Sequence, residues 1–405
     1  ILLISDHELA LRSLAMISYA LTLWLLHRFT LSLFQLPAAN LAVLLFALMP
    51  MSFLLGMAVV PETLLMPLVL ALFWQAQRTL LNPRLGQWAM LGVLIGLAGL
   101  SKYTSVLMAM GLLLMLLFFS ARYLLTLGFW LAVTIALVML FPVLLWNAEH
   151  EWISILYQLN HGAPNDPWLW RNLLQSQLSQ LLSYSPMVWV GAWWLVLGVW
   201  SYRHKDSFQW RLMLILFSLP GLLIFTIASG KEPSLPHWLL FFYVLALPWL
   251  ANALLSAGKV ARVLTLLNAG YGAVILLSLS LLVMMPQVGA LFQPNPAQDI
   301  FGWKRAGQEA SDLLQPNEQL LIPNWVSASR IAWYARPAPV IVLDHRIDQF
   351  DLWFGSAEKG VSGVLLLSPD HASEKWVSQF EQCQWVMKTE EGFQFYRCEK
   401  WQDEK

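Results

Sequence analysis

Charge is scarce in this chain. Only 12% of its 405 residues are Asp, Glu, Lys or Arg, and the two signs cancel to a formal net charge of zero. A neutral chain has no electrostatic grip on a phosphate backbone, so nucleic-acid binding finds no support. Cysteine is scarcer still. Cys383 and Cys398 are the only two, too few for a disulfide scaffold or a thiolate metal centre. The eight histidines do not cluster at ligand spacing, so no metal site is expected. The sequence has no P-loop glycine motif and no GxGxxG, which leaves cytoplasmic nucleotide chemistry without a foothold. It also has no internal repeat and no low-complexity tract.

What fills the space is hydrophobic. Apolar residues make up 58% of the chain and there are 22 tryptophans, which suit membrane interfaces. Ten apolar segments can be drawn, at about 13–30, 38–60, 63–80, 88–101, 103–120, 124–146, 184–201, 208–228, 236–256 and 263–286. The charge is unevenly spread. Residues 1–289 hold eight acids and thirteen Lys/Arg, whereas residues 290–405 hold sixteen acids and eleven Lys/Arg. The expected organisation is a polytopic α-helical membrane domain over 1–289, with about ten helices, and a soluble α/β domain over 290–405.

The connections alternate in charge. One set carries Arg28, Arg78, Arg84, Arg122, Arg203, Lys205, Arg211, Lys259 and Arg262 against Asp206 alone. The other carries Arg12, Lys102, Arg171 and Lys231 against seven acids. The positive-inside rule assigns the first set to the cytoplasm. Residue 1 then lies outside, and the last helix exits outward, making the tail extracytoplasmic. A chain that starts at Ile1, outside, is expected to have an upstream helix and outer loop. In the tail, Gln319–Pro323, Pro339–Leu343 and Gly363–Ser368 read as short buried strands, and Ser327–Ala335 and Ala372–Phe380 as helices. Two further strands flank the turn Thr389–Gly392 and set Cys383 opposite Cys398. They form either a disulfide or two small buried thiols.

Lys102 is the most unusual residue. It sits inside the apolar run Gln87–Ser120, which as one helix would be roughly 50 Å long, too long for one ~30 Å crossing. Two short spans meeting at Ser101–Tyr103 fit better. A cation there needs an anionic partner or a wet cavity. Snorkelling toward headgroups is the simpler alternative. Glu62, between two apolar spans, is either a helix-start acid favoured by the dipole or a carboxylate facing a cavity. The long loop Trp146–Ser183 contains an amphipathic stretch through Ile153, Leu156, Tyr157 and Asn160, expected to be a surface helix, and His161. His161 is either a solvated histidine or an anion-stabilising group. The short loop Gly230–Trp238 carries Lys231, Glu232 and His237. Lys231 and Glu232 could simply neutralise one another, and Pro236-His237-Trp238 could simply belong to an interfacial belt.

In order along the chain, these stretches resemble the bacterial branch of the polyprenol-phosphate-sugar glycosyltransferases. These are GT-C-fold membrane enzymes related to protein O-mannosyltransferases and the lipid A aminoarabinose transferase. The resemblance rests on His7–Arg12, Pro61–Leu65, Gly96–Thr104, Pro142–Asn147 with Trp152, Gln158–Gly162 and Pro236–Trp238. In the tail it rests on Asp299–Trp303 and Asp348–Trp353. It implies inverting transfer of a sugar from a polyprenyl-phosphate donor to a glycan, lipid or protein acceptor at the outer face of the bacterial cytoplasmic membrane. No cofactor is implied, and no nucleic acid. Glu62 corresponds to the second acidic motif. Lys102, Tyr103, His161, Lys231 and His237 fall on the substrate side. The family's first acidic motif, which supplies the principal base, is expected before residue 1. Two rival readings are a transporter or flippase for a lipid-linked or anionic solute, and an inactive homologue that only binds. The transporter reading lacks pseudo-repeated halves and midplane charges.

Overall fold

The structure is a computed structural model that describes residues 7–162, 167–198, 208–292, 295, 300–316, 318–371 and 374–403. The chain divides into two compact units, Ile1–Leu276 and Leu277–Lys405.

The first unit is helical. Its helices are α1 (Glu8–Leu33), α2 (Leu36–Ala47), α3 (Pro50–Met57), α4 (Pro61–Leu81), α5 (Leu85–Ser101), α6 (Val106–Ser120), α7 (Leu127–Glu149), α8 (Ile153–Gly162), α9 (Trp170–Tyr184), α10 (Pro186–Leu197), α11 (Phe208–Ala228), α12 (Leu240–Ser256) and most of α13 (Gly258–Met284), whose last residues belong to the second unit. Each of the ten apolar segments contains helix. Among the described residues, seven helices are long and apolar enough to cross a membrane, or eight spans if the bent pair α2–α3 counts as one. The two other apolar segments form α5 and α10, of 17 and 12 residues. The α2–α3 segment bends by 70° because Pro50 opens α3 and holds the preceding Met49 extended.

Close helix contact needs small residues. A Cβ on Gly92 of α5 would lie 2.5 Å from the Ala132 carbonyl oxygen of α7, and one on Gly96 would meet Met139. A small-x-x-x-small face thus lets two backbones touch without a hydrophobic drive between them. Deeper in the unit, Phe29, Phe73, Phe217 and Trp249 form an edge-to-face cluster joining α1, α4, α11 and α12.

The second unit contains a five-stranded sheet of β1 (Gln319–Ile322), β2 (Val340–Val342), β3 (Gly363–Leu367), β4 (Phe380–Lys388) and β5 (Gln394–Trp401), in the order β2-β1-β3-β5-β4. The first three strands run parallel, and β5 and β4 add antiparallel. The parallel strands are buried on both faces, as their unbroken apolar runs require. The helices are α14 (Trp303–Leu313), α15 (Trp325–Tyr334), α16 (Gln349–Phe354) and α17 (Glu374–Val377). All five expected strands are present. The helix expected from Ala372 includes two residues outside the described ones and is short.

The β4–β5 hairpin carries one device the turn alone does not reveal. Beside the turn Lys388 faces Gln394 and Met387 faces Phe395, a pairing shifted by one from a simple hairpin. A bulge between Trp385 and Met387 absorbs the extra residue, so that Cys383 faces Cys398. The two form a disulfide.

Candidate active site

Three elements deliver charged or ionisable groups to one point in the first unit. Pro61 opens α4, placing Glu62 in its first turn, where unpaired backbone N–H groups favour an anion. Thr63 fixes that turn to the preceding loop, its hydroxyl donating to the Ala58 carbonyl at 2.8 Å. The α5 helix ends at Ser101, and Lys102 leaves it with extended backbone angles before a 3-10 turn, Tyr103–Ser105. The Ser101 hydroxyl donates to the Pro61 carbonyl at 3.0 Å, tying the two helix ends together. The Lys102 ammonium therefore donates to Glu62 Oε1. His237 lies in the 3-10 turn Pro236–Leu239 that leads into α12, and its Nε2 sits 3.4 Å from the same oxygen.

The cluster is set in grease. Glu62 is only 6% exposed, and such a carboxylate stays charged only when paired. The Lys102 ammonium also lies 5.6 Å from the centre of the Trp238 ring, a distance at which the ring face attracts a cation. The cleft above the cluster is walled by Leu65, Val69, Phe217, Phe225 and Phe241. Its free volume is about 20 Å³, the room of a water or two. The arrangement thus offers a cation, an imidazole and a carboxylate beside an apolar wall, which suits an amphiphile with an anionic head.

Lys102, Glu62 and His237 were all legible as candidates, and the fold brings these three together. Tyr103 follows directly in the chain, is partly exposed and does not line the cleft. Lys231 shares its loop with His237 but is likewise not among the lining residues, and its carbonyl accepts from Asn172 Nδ2 at 2.7 Å. His161 falls in α8, and its side chain lies outside the described residues.

Sequence reading missed the support of the His237 loop. It expected one surface helix between residues 146 and 183, and α8 accounts for it. The second helix, α9, was not anticipated. It buries a polar stripe, Asn172, Ser176, Gln180 and Tyr184, at successive four-residue steps. Ser176 bonds Ser234 at 2.7 Å, Gln180 accepts from the Tyr243 hydroxyl at 2.8 Å, and the Tyr184 hydroxyl donates to the Pro236 carbonyl at 2.7 Å. The stripe braces residues 230–236 and so fixes His237. Its spacing was a visible signal. A polar helix face, however, ordinarily reads as solvent-facing, whereas here Leu174, Leu178 and Leu182 are the exposed side.

Residues 1–146 match the family described as dolichyl-phosphate-mannose-protein mannosyltransferase. That match covers just over a third of the chain. No curated protein matches the sequence. Among the solved structures that share its fold are two of ArnT from Cupriavidus metallidurans. The first, bound to undecaprenyl phosphate, is 14% identical, with a TM-score of 0.62, over 95% of this chain and 83% of ArnT. The second, in the apo state, gives 14% and 0.61 over the same shares. The chain is a multi-pass membrane protein that shares the fold of ArnT, with a mixed β-sheet unit at its C-terminal end.

Proposed function

We propose that this protein transfers a sugar from a polyprenyl-phosphate donor to an acceptor hydroxyl at the outer face of a bacterial cytoplasmic membrane, with inversion. The acceptor oxygen bonds to the anomeric carbon, the bond from that carbon to the phosphate oxygen breaks, and the acceptor's proton passes to a carboxylate. The observation that carries this reading is the meeting of Glu62, Lys102 and His237 beside an apolar wall. An isoprenoid chain fits the wall, and its phosphate fits the cations. Lys102 exchanges Glu62 for the phosphate and stabilises the charge that grows on it as the sugar leaves. His237 donates a second hydrogen bond, and Glu62 is the second acid, holding Lys102 in place before the donor arrives. Tyr103, next to Lys102 in the chain, Lys231, in the loop that leads to His237, and His161 are further donor or acceptor contacts in this reading. ArnT, whose solved structure holds undecaprenyl phosphate, supports a lipid phosphate as the ligand.

In this reading residues 1–289 are the membrane domain, and 290–405 form an extracytoplasmic domain. The Cys383–Cys398 disulfide supports that side, because such bonds persist in oxidising compartments. The test is transfer of radiolabelled sugar from a polyprenyl-phosphate donor by the full-length protein in proteoliposomes. The Lys102→Ala variant should lose most turnover while remaining folded. Unchanged transfer would remove Lys102 from the site.

A further inference from the structure

The second unit contains a crevice that the membrane chemistry does not use. It lies beyond the carboxyl ends of the three parallel strands. Its lining comes from the segment after β1 (Asn324 to Ser327), the segment after β2 (Asp344 to Arg346) and the segment after β3 (Ser368 and Asp370), with Arg330 from α15. The chain runs from the central β1 to β2 on one side, then to β3 on the other. The gap between β1 and β3 is therefore the place where the winding reverses and the strand-end connections part. Open parallel sheets bind ligands at such points. The free volume is about 540 Å³, the size of a small-molecule pocket.

Its chemistry has two halves. On one side are donors. The first turn of α15 lines the crevice, and the Asn324 side chain caps it, its Oδ1 accepting from the Ser327 N–H at 3.0 Å. Asn324 Nδ2 has no hydrogen-bond partner among the described residues and lies buried at the rim. Arg330 rests 4.7 Å from the Trp303 ring centre, and Arg346 rests 5.7 Å from that of Trp325, so aromatic faces hold both guanidinium groups. On the other side are the Asp344 and Asp370 carboxylates, which can accept from hydroxyls. Trp325, 42% exposed, offers an apolar face on which a pyranose ring can lie.

We infer that this crevice binds a saccharide carrying a phosphate group. The two arginines and the α15 N-terminus take the phosphate, the two aspartates take ring hydroxyls, and Trp325 packs against the ring. This assignment rests on no residue of the membrane cleft. The test is calorimetric titration of the detergent-solubilised full chain with glucosamine 1-phosphate, glucosamine and inorganic phosphate. The phosphosugar should bind more tightly than either fragment. Arg346→Gln should weaken it by about ten-fold, the loss of one charge-assisted contact. Asp370→Asn, at an exposed position, should weaken the phosphosugar but not phosphate. Lys102→Ala should leave the binding intact. Absence of binding, equal affinity for bare phosphate, indifference to both crevice variants, or loss of binding in Lys102→Ala would each overturn the assignment.

Discussion

Removing Lys102 separates two roles that its ammonium combines. The Glu62 side chain is 8% exposed and that of Lys102 is 19% exposed. Breaking a buried pair from one side generally costs about 3–5 kcal/mol, because it strands the other charge. Here the lower figure applies, since His237 remains 3.4 Å away and Lys102 is partly wetted. Lys102→Ala should therefore lower the melting temperature in detergent. Adding Glu62→Gln to it should restore much of that loss by deleting the stranded charge. Phosphate affinity behaves differently. An ammonium and a phosphate about 4 Å apart attract by about 4 kcal/mol at an effective dielectric near 20. Part of this offsets the Glu62 contact that must be surrendered. With about half retained, the net is about 2 kcal/mol, or about thirty-fold in Kd. Titrating undecaprenyl phosphate into the protein in nanodiscs reads that number directly. Both Lys102→Ala and the Glu62→Gln double variant should bind weakly. Undiminished affinity in the single variant, or affinity that returns together with stability in the double variant, would refute a phosphate role for Lys102.

Other tests bear on the remaining parts. His237→Asn removes the contact of Nε2 with Glu62 and should weaken donor binding by several-fold, about 1 kcal/mol, in the same titration. Ser176→Val leaves the buried Ser234 hydroxyl without its partner. It should cost about 1–3 kcal/mol, visible as a lower melting temperature. Reducing the Cys383–Cys398 bond, which closes a loop of sequence separation 15, should destabilise the sheet unit by about 3 kcal/mol in the chain-entropy account, measured by proteolysis with and without reductant. The only two cysteines are paired, so a thiol introduced as Lys102→Cys has no competing reactive partner. Labelling of whole cells by an impermeant maleimide should reach it, and protection until lysis would put that end of the bundle on the cytoplasmic side.

Much of the architecture was legible because it is local. Apolar runs of helical length, prolines at Pro50, Pro61 and Pro186, and Lys102 between two half-runs mark helices and their breaks through short-range sterics and solvation. The tail strands announced themselves as short β-branched and leucine-rich runs, and the hairpin turn fixed Cys383 opposite Cys398 to within the one residue that the bulge takes up. Residue types also singled out Glu62, Lys102 and His237, since charge in an apolar context needs a reason.

What the linear order could not disclose is which of those groups meet. Glu62 and Lys102 are 40 residues apart, and His237 arrives from a third helix far down the chain. Their convergence depends on how α4, α5 and α12 pack, on the Ser101–Pro61 hydrogen bond and on the α9 brace, and no periodicity encodes that. The inversion of α9, polar side in and leucines out, has the same origin, because only the partner surface decides which face of an amphipathic helix is buried. The strand-end crevice likewise exists only once β1, β2 and β3 lie side by side. Short-range chemistry selects the elements, whereas a site is made by contacts between elements whose separation in sequence carries no energy of its own until the fold closes.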